Sequence, residues 1–528
     1  IIQFSINNKL IIGLLTLVLI GFGTFSLTQL SIGAVPDVTN NQVQVITTSR
    51  NLSTQDMEQF ITYPVELEMA NLPGVKEIRS VSKFGLSVVT IVFEERMGTY
   101  LPRQLIAEKI KSASENIPEG FGTPQMGPIT TGLGEIYQYI LDVRPGYEDA
   151  YTDTELRTIQ DWIVKRQLSG IPGVVEVNTW GGHLKQYEVA INTHKLNAMN
   201  ITASEVFTAL EKNNSVSGGS YIEKENQAYF IRGEGLITSL EDIRNIVVKN
   251  ENGFPIYVKD IAKVQFGSAP RFGAITGNGQ GEKILGQVMM LKDANSNQVI
   301  KDVQDRVAEI SESLPEGVYI NPFLDRSVLI GKTTFTIAEN LILGVLIVIF
   351  VVVLLLGNFR SGLVVASVIP LSLLFTLSMM YLFGVDANLM SMGAIDFGII
   401  IDGAVIIVEF VAFKISKHAP KLNALPSSER QMEKDELTVK SSSKMMNSAI
   451  FGQLIILIVF IPILSLSGVE GKMFIPMAQT FSFALIGAML LCFTYVPVAA
   501  SVFLKPTVAS KRNVSVRIMA FLNRFYEP

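Results

Sequence analysis

The sequence predicts a polytopic membrane protein: a six-helix transmembrane bundle plus an α+β part outside the membrane, made of two ferredoxin-like βαββαβ units with an inserted docking subdomain. Three observations carry that expectation. There are six long apolar runs, positive charge alternates between the loops that join them, and the polar block between the first and second runs contains an internal repeat.

Of the 528 residues, 48% are hydrophobic and 17% charged, which is a poor fit to an ordinary soluble multidomain chain. The apolar excess gathers at Leu10 to Leu30, Thr336 to Leu356, Leu363 to Phe383, Leu389 to Val411, Met446 to Leu466 and Met473 to Leu504, the last including interfacial turns. Each run can cross a hydrocarbon core of about 30 Å as a helix. The first exceeds the apolar region of a secretory leader and lacks a cleavage site, so it reads as a retained anchor. The chain begins at Ile1 rather than Met, and a few residues are expected to precede it.

Arg360 follows the second run. Lys414, Lys417, Lys421, Lys434, Lys440 and Lys444 follow the fourth, and Lys505, Lys511, Arg512 and Arg517 follow the sixth. By the positive-inside rule these sides are cytoplasmic, and the short loops around Asp386 and Glu470 lie on the opposite side with the large polar block. A net charge of −5, with no basic patch carrying interleaved aromatics, excludes a nucleic-acid partner. The single Cys492, inside an apolar run, excludes an intrachain disulfide and a thiolate metal cluster, and reads as a packed core residue.

In the polar block, Leu72-Pro73-Gly74-Val75 recurs as Ile171-Pro172-Gly173-Val174, each time between a helical pattern and an alternating strand pattern. Ile117-Pro118-Glu119-Gly120 likewise recurs as Leu314-Pro315-Glu316-Gly317 after a second helical pattern. The expected division is 1–31 for the first span, 32–128 for the first repeat unit, and 129–217 with 270–330 for the second. The docking subdomain, rich in Gly and short strands, interrupts the second unit at 218–269. The five further spans fill 331–504, and an amphipathic cytoplasmic segment occupies 505–528.

The fourth run reads MGAIDFGIIIDGAVIIVEF and places Asp396, Asp402 and Glu409 among apolar or small residues. An ionised carboxylate at mid-membrane costs on the order of 2.5 to 3.5 kcal/mol, so such acids face a bundle interior, titrate, or find a partner. At 100° per residue Asp402 and Glu409 share nearly one stripe, two turns apart, with Asp396 about 120° away. Gly393, Gly398 and Gly403 remove bulk around them and admit a neighbouring helix. No Lys or Arg occupies the middle of any run, so the acids are either protonated or paired with a cation supplied from elsewhere. Both states suit a proton relay, in which desolvation raises a carboxyl pKa and a nearby cation lowers it.

The segments GAVPDVTNNQVQV, GEIYQYIL, IPGVVEVNTWGG, DFGIIIDGAVIIVE and GVEGKMFIPMA resemble those of resistance-nodulation-division efflux permeases, and the fourth-span motif resembles their heavy-metal branch of cobalt-zinc-cadmium and copper-silver exporters. The likeness covers essentially the whole chain and corresponds to the N-terminal half of such a permease. It implies a secondary active transporter rather than an enzyme, with protons as the coupling ion, zinc, cobalt, cadmium or copper as substrate, and no cofactor. By this resemblance Asp396, Asp402 and Glu409 match the acids of proton coupling. An acid at Asp396 as well as Asp402 favours the cobalt-zinc-cadmium type, while Phe410 stands where the family commonly has Asn. The copper-silver exporters are described with methionine pairs that suit soft ions. Met390 and Met473 are the weak metal candidates here, and Ile400 stands where that relay would want a Met. His183, His194 and His418 are too scattered to suggest a metal site.

The resemblance further implies a homotrimer in the bacterial inner membrane, its outer block periplasmic and joined to a periplasmic adaptor and an outer-membrane channel. It also implies a second half that supplies the cation for the acids and most of the substrate cleft, so the isolated chain is not expected to pump. Three alternatives stand beside it: an exporter of drugs or lipids from the same superfamily, a non-transporting membrane scaffold, and an intramembrane aspartyl protease. The protease is disfavoured because its two carboxylates would come from different helices to share one water.

Overall fold

The computed structural model describes residues 1–30, 32–33, 35–49, 52–251, 253–271, 273–393 and 397–506. Helix α1 (Lys9–Gln29) leads to a four-stranded antiparallel sheet of β1 (Gln42–Thr48), β2 (Val75–Lys83), β3 (Leu86–Phe93) and β4 (Gln125–Met126), in the order β2-β3-β1-β4. A helical segment ending in α2 (Tyr63–Ala70) connects β1 to β2, and α3 (Tyr100–Glu115) connects β3 to β4. Period-2 alternation turns Val43 and Val45 of β1, with Val89, Ile91 and Phe93 of β3, onto Ile61, Val65, Met69 and Ile106 of the helices.

The pattern repeats with β5 (Glu135–Val143), α4 (Asp153–Ile159) and β6 (Val174–Trp180). It resumes after an insertion that contains β7 (Lys185–Ile191), α5 (Ala203–Lys212), β8 (Ser215–Lys224), β9 (Gln227–Gly235) and β10 (Ala262–Ser268). Strand β11 (Ile284–Met290), α6 (Ser296–Ser313) and β12 (Val318–Asp325) complete a second sheet in the order β12-β5-β11-β6. Numbered within each unit, both sheets have the strand order 4-1-3-2.

The two Pro-Gly repeats have a backbone reason. Gly74 and Gly173 adopt φ of +74° and +85°, and a Cβ would meet Met97 Sδ at 2.1 Å and Val299 Cγ2 at 2.5 Å respectively.

The insertion differs from the expected 218–269. Strand β7 pairs with β10 along its whole length, and Ala269 N–H donates to Leu184 O at 3.1 Å. Leu196, Ile201, Val206, Ile243, Val258 and Ile261 form a core of their own. The co-packed segment therefore starts near Leu184, and the Gly-rich stretch at 218 is only the β8–β9 hairpin. That hairpin turns at Glu225 and Asn226, both with positive φ, and every residue of its two strands is exposed.

Helix α7 (Arg326–Leu356) grows directly out of β12, capped by the Asp325 side chain on Ser327 N–H. Gly357 in the left-handed conformation and the Asn358 cap then turn the chain into α8 (Phe359–Phe383). There follow α9 (Leu389–Gly393), α10 (Phe397–Lys417), α11 (Ser427–Val459), α12 (Gly468–Phe493) and α13 (Tyr495–Phe503). Five described helical stretches are long and apolar enough to cross a membrane: Lys9–Gln29, Arg326–Leu354, Phe359–Phe383, Ser427–Leu464 and Gly468–Phe493. Helix α10 falls outside that set, since Asp402, Glu409 and Lys414 share it.

Two boundaries differ from expectation. Helix α11 begins well before Met446, because its Glu-, Lys- and Gln-rich stretch is strongly helix-forming and carries the i,i+4 pair Glu436–Lys440 at 2.6 Å. The last run breaks at Thr494, ahead of Pro497. Helix α8 sits among α1, α7, α10 and α12, and its Val365, Val368 and Ile369 share a core with Ala404, Ile407 and Val408 of α10.

Gly173→Ala tests the repeat. It forces Ala into a left-handed conformation and into Val299, and is expected to lower stability by about 1–3 kcal/mol in thermal unfolding of the full-length protein.

Candidate functional site

Along α10 the exposed residues are Gly398, Asp402, Ile406, Glu409, Phe413 and Lys417, a single stripe at spacings of three and four. Isoleucine and valine rows flank it and turn inward, with Ala404, Ile407, Val408 and Val411 fully buried. Amphipathic patterning is thus inverted for a lipid-facing helix: the aliphatic residues pack against α8, α11 and α12, and the carboxylates stand on the open side. The structure brings Asp402 and Glu409 onto one face, two turns apart, as their spacing predicts. Asp396 lies outside the described residues.

Gly403, next to Asp402, faces inward, where a Cβ would come within 3.0 Å of Gln453 Nε2 on α11 and 3.3 Å of Cys492 Sγ on α12. Close helix approach at this glycine was legible in the sequence. Gln453 was not singled out, although an amide inside an apolar run is itself a signal. Phe410 also has a local role: Lys414 and Lys444 sit 5.4 and 5.9 Å from its ring centroid and bring two cations beside the residue that follows Glu409.

Met390 on α9 and Met473 on α12 are both half-buried, on helices that pack together. Among the described residues no three His, Cys, Asp or Glu side chains are disposed to hold a metal ion.

Where the bundle meets the sheet units, Ile32 and Gly33 pair in parallel with Ala387 and Asn388, joining the segment after α1 to the α8–α9 loop. Lys472, at the start of α12, contacts Glu95 at 2.8 Å and donates to Thr39 O, and Arg326 donates to Leu133 O. These groups line a cavity of about 850 Å³ together with Asp37, Lys76, Asp293 and Asp386. Partial burial works to raise the Asp37 carboxyl, but hydrogen bonds from Thr131 and Thr39 and the charge of Lys472 outweigh it and hold the pKa below the ordinary value of 3.8. Burial pushes the Asp386 carboxyl the other way, with help from Asp293 and Asp37.

A depressed carboxyl contributes stability that is present above its unfolded pKa and lost as pH falls through the folded one. The Asp37 contribution to the junction is therefore expected to be lost below about pH 4, against an opposing gain from protonating Asp386, and Asp37→Asn to remove that loss. Thermal unfolding of the full-length protein between neutral and acid pH reads it.

A twice-repeated sheet unit grafted onto long apolar helices, with carboxylates on the helix too charged to count among them, is the architecture of a polytopic permease. The chain belongs to the AcrB/AcrD/AcrF family, whose profile matches residues 1–528, and within it to the resistance-nodulation-division permeases of heavy-metal type. It is 45% identical over 532 residues to the cation efflux system protein CzcA of Alcaligenes sp. (strain CT14), covering 100% of this chain and 49% of that protein. To the cation efflux system protein CusA of Escherichia coli (strain K12) it is 34% identical over 534 residues, covering 100% of this chain and 50% of that one. A solved crystal structure of a heavy metal efflux pump superposes with a TM-score of 0.83 at 31% identity, over 99% of this chain and 52% of that one. The chain spans about half the length of the curated relatives it matches. These relatives are efflux transporters, not enzymes.

Proposed function

We propose that the chain is the N-terminal half of a proton-driven antiporter that exports heavy-metal cations across the bacterial inner membrane, its sheet units lying in the periplasm. The observation that carries this reading is the single stripe of α10 bearing Asp402 and Glu409 in a helix whose other residues from Phe397 to Phe413 are apolar or small. Carboxylates at lipid depth survive where they titrate or meet a cation. On this reading the second half of the permease covers the stripe and brings that cation. Asp396 joins the same relay. Each proton crossing 100 mV supplies roughly 2.3 kcal/mol.

Counting α10 as a span gives six, and the strand order 4-1-3-2 with helices on one face supports reading the two outer units as ferredoxin-like. Export then proceeds by those units moving against one another, driven through the junction at Lys472 and Glu95. The name of one similar protein, a cobalt-zinc-cadmium resistance protein, favours zinc, cobalt or cadmium as substrate. The resemblance adds copper, with Met390 and Met473 as weak candidates for contact with a soft ion, and protons rather than a cofactor as the driving partner. A homotrimer joined to a periplasmic adaptor and an outer-membrane channel completes the reading. The exposed β8–β9 hairpin is its trimer arm, since an isolated two-stranded ribbon is marginal without a partner surface.

Asp402→Asn in the full-length permease is expected to abolish metal resistance of a sensitive host while expression and membrane insertion stay normal. Full resistance from that variant removes Asp402 from the mechanism. Resistance profiling against zinc, cobalt, cadmium, copper and silver identifies the cargo, and a profile confined to detergents or dyes rejects the metal assignment.

Cutting the hairpin back between Ser217 and Gly233 is expected to shift the detergent-solubilised permease from trimer towards monomer in size-exclusion chromatography. An unchanged trimer removes the hairpin from the interface.

A further inference from the structure

Gln453 stands out within the bundle. Its side chain is 4% exposed, and its Nε2 has no hydrogen-bond partner among the described residues. It continues the buried face of α11 formed by Met446 and Ala449, and is polar where both of those are apolar. An amide at this depth without a partner is costly, and a leucine of similar volume would pack against Gly403 without that cost. The amide therefore calls for something to bind.

What lies beside it narrows the choice. Nε2 is 3.0 Å from where a Cβ on Gly403 would sit, so the absent side chain leaves the amide against the α10 backbone, one residue from Asp402. Asp402 lies 100° round the helix from that point, on the exposed stripe. The titratable groups on the elements packed around this seam are Asp402, Glu409 and Lys414 on α10, Lys444 on α11, Cys492 on α12 and Tyr495 on α13, whose hydroxyl is 2.9 Å from Ser367 on α8. Helix α11 has no charged residue between Met446 and Val459; Arg360 lies at the start of α8, Lys332 in the second turn of α7, and Glu339 near the middle of α7, where it is exposed. A group that donates a hydrogen bond without changing its own charge is therefore placed against Gly403, one residue along α10 from a carboxylate that the antiport reading requires to change its own.

We propose that Gln453 is a positioning residue for proton exchange at Asp402, its Nε2–H donating to a water in the α10–α11 seam that in turn donates to the Asp402 carboxylate past Gly403. Gln453 neither gains nor loses a proton. It fixes the water through which the carboxylate takes up or releases one. Water is the ligand that fits, because it accepts from the amide and donates to the acid. The inference rests on the antiport reading.

The test is proton flux driven by zinc, cobalt or cadmium ions in proteoliposomes containing the full-length permease, measured across pH for wild type, Gln453→Leu, Gln453→Met, Gln453→Asn and Asp402→Asn. Losing a hydrogen bond to the charged carboxylate favours its protonated form, so Gln453→Leu is expected to move the pH midpoint of flux up by about one unit. Gln453→Met serves the same purpose if the leucine variant fails to insert. Gln453→Asn, which keeps an amide, is expected to recover part of the shift. A wild-type midpoint in Gln453→Leu or Gln453→Met overturns the inference, and so does reduced flux at an unchanged midpoint, which marks a packing role. If wild type shows no metal-driven proton flux, or Asp402→Asn retains all of it, the antiport reading fails and takes this inference with it. Flux lost in Asp402→Asn but unaltered in the Gln453 variants overturns this inference alone.

Discussion

With α10 read as a span, the arrangement of the bundle follows from one constraint: acids at lipid depth cannot be left against hydrocarbon. Helix α10 meets it by dividing its surface. Ile401, Ala404, Ile407, Val408 and Val411 face α8, α11 and α12, where they fill a close-packed core, while Asp402 and Glu409 share the opposite stripe with Ile406 and Phe413. That division places small residues on the inner side, and at Gly403 it lets α11 and α12 approach the backbone. The neighbours of α10 are thus fixed by what its carboxylates exclude. A helix that turned Asp402 into the same core would instead have desolvated a charge among aliphatic side chains, with Lys414 and Lys444 gathered beside Phe410 toward the C-terminal end of the helix.

A charge change on α10 has consequences elsewhere only if the bundle is mechanically joined to the sheet units, and the connections are short and stiff. Strand β12 passes into α7 at Asp325, which caps the helix and accepts a hydrogen bond from Gln304 of α6 at 2.6 Å. Thus the last strand of one unit, the helix covering it and a long apolar helix meet at a single carboxylate. Lys472 makes the corresponding tie from α12 to Glu95 and Thr39 near the first unit. The Ile32–Ala387 pairing binds the segment after α1 to the α8–α9 loop. Backbone continuity and charged ties of this kind transmit displacement better than flexible linkers, and a rigid element with two positions is the physical requirement for coupling.

Much of this was legible in the sequence because it is carried by local pattern. The Pro-Gly repeats mark left-handed glycines, which only a residue without Cβ tolerates against Met97 and Val299. The seven-residue interval between Asp402 and Glu409 sets a common helix face whatever the tertiary context. Non-local features were not legible. The pairing of β7 with β10 joins residues 185–191 to 262–268, and nothing in either strand names its partner, so the insertion was placed too late in the chain. The early start of α11 was hidden because a charged helix and a charged loop have the same composition, and only the i,i+4 placement of Glu436 and Lys440 separates them. Gln453 acquires meaning only when Gly403 is brought against it.

Exposed apolar surface by itself does not separate the faces of the bundle that meet lipid from those that meet protein. Helix α7 exposes Phe335, Ile342, Leu346, Ile347 and Phe350, and hydrocarbon satisfies such side chains as well as a neighbouring helix would. The carboxylates break that degeneracy. A face that carries Asp402 and Glu409 cannot be solvated by acyl chains, so the α10 stripe has to meet protein, ordered water, or both, whereas the α7 face need not. The acids therefore orient the bundle as well as equip it, since they single out the one exposed face of α10 against which lipid cannot be the neighbour.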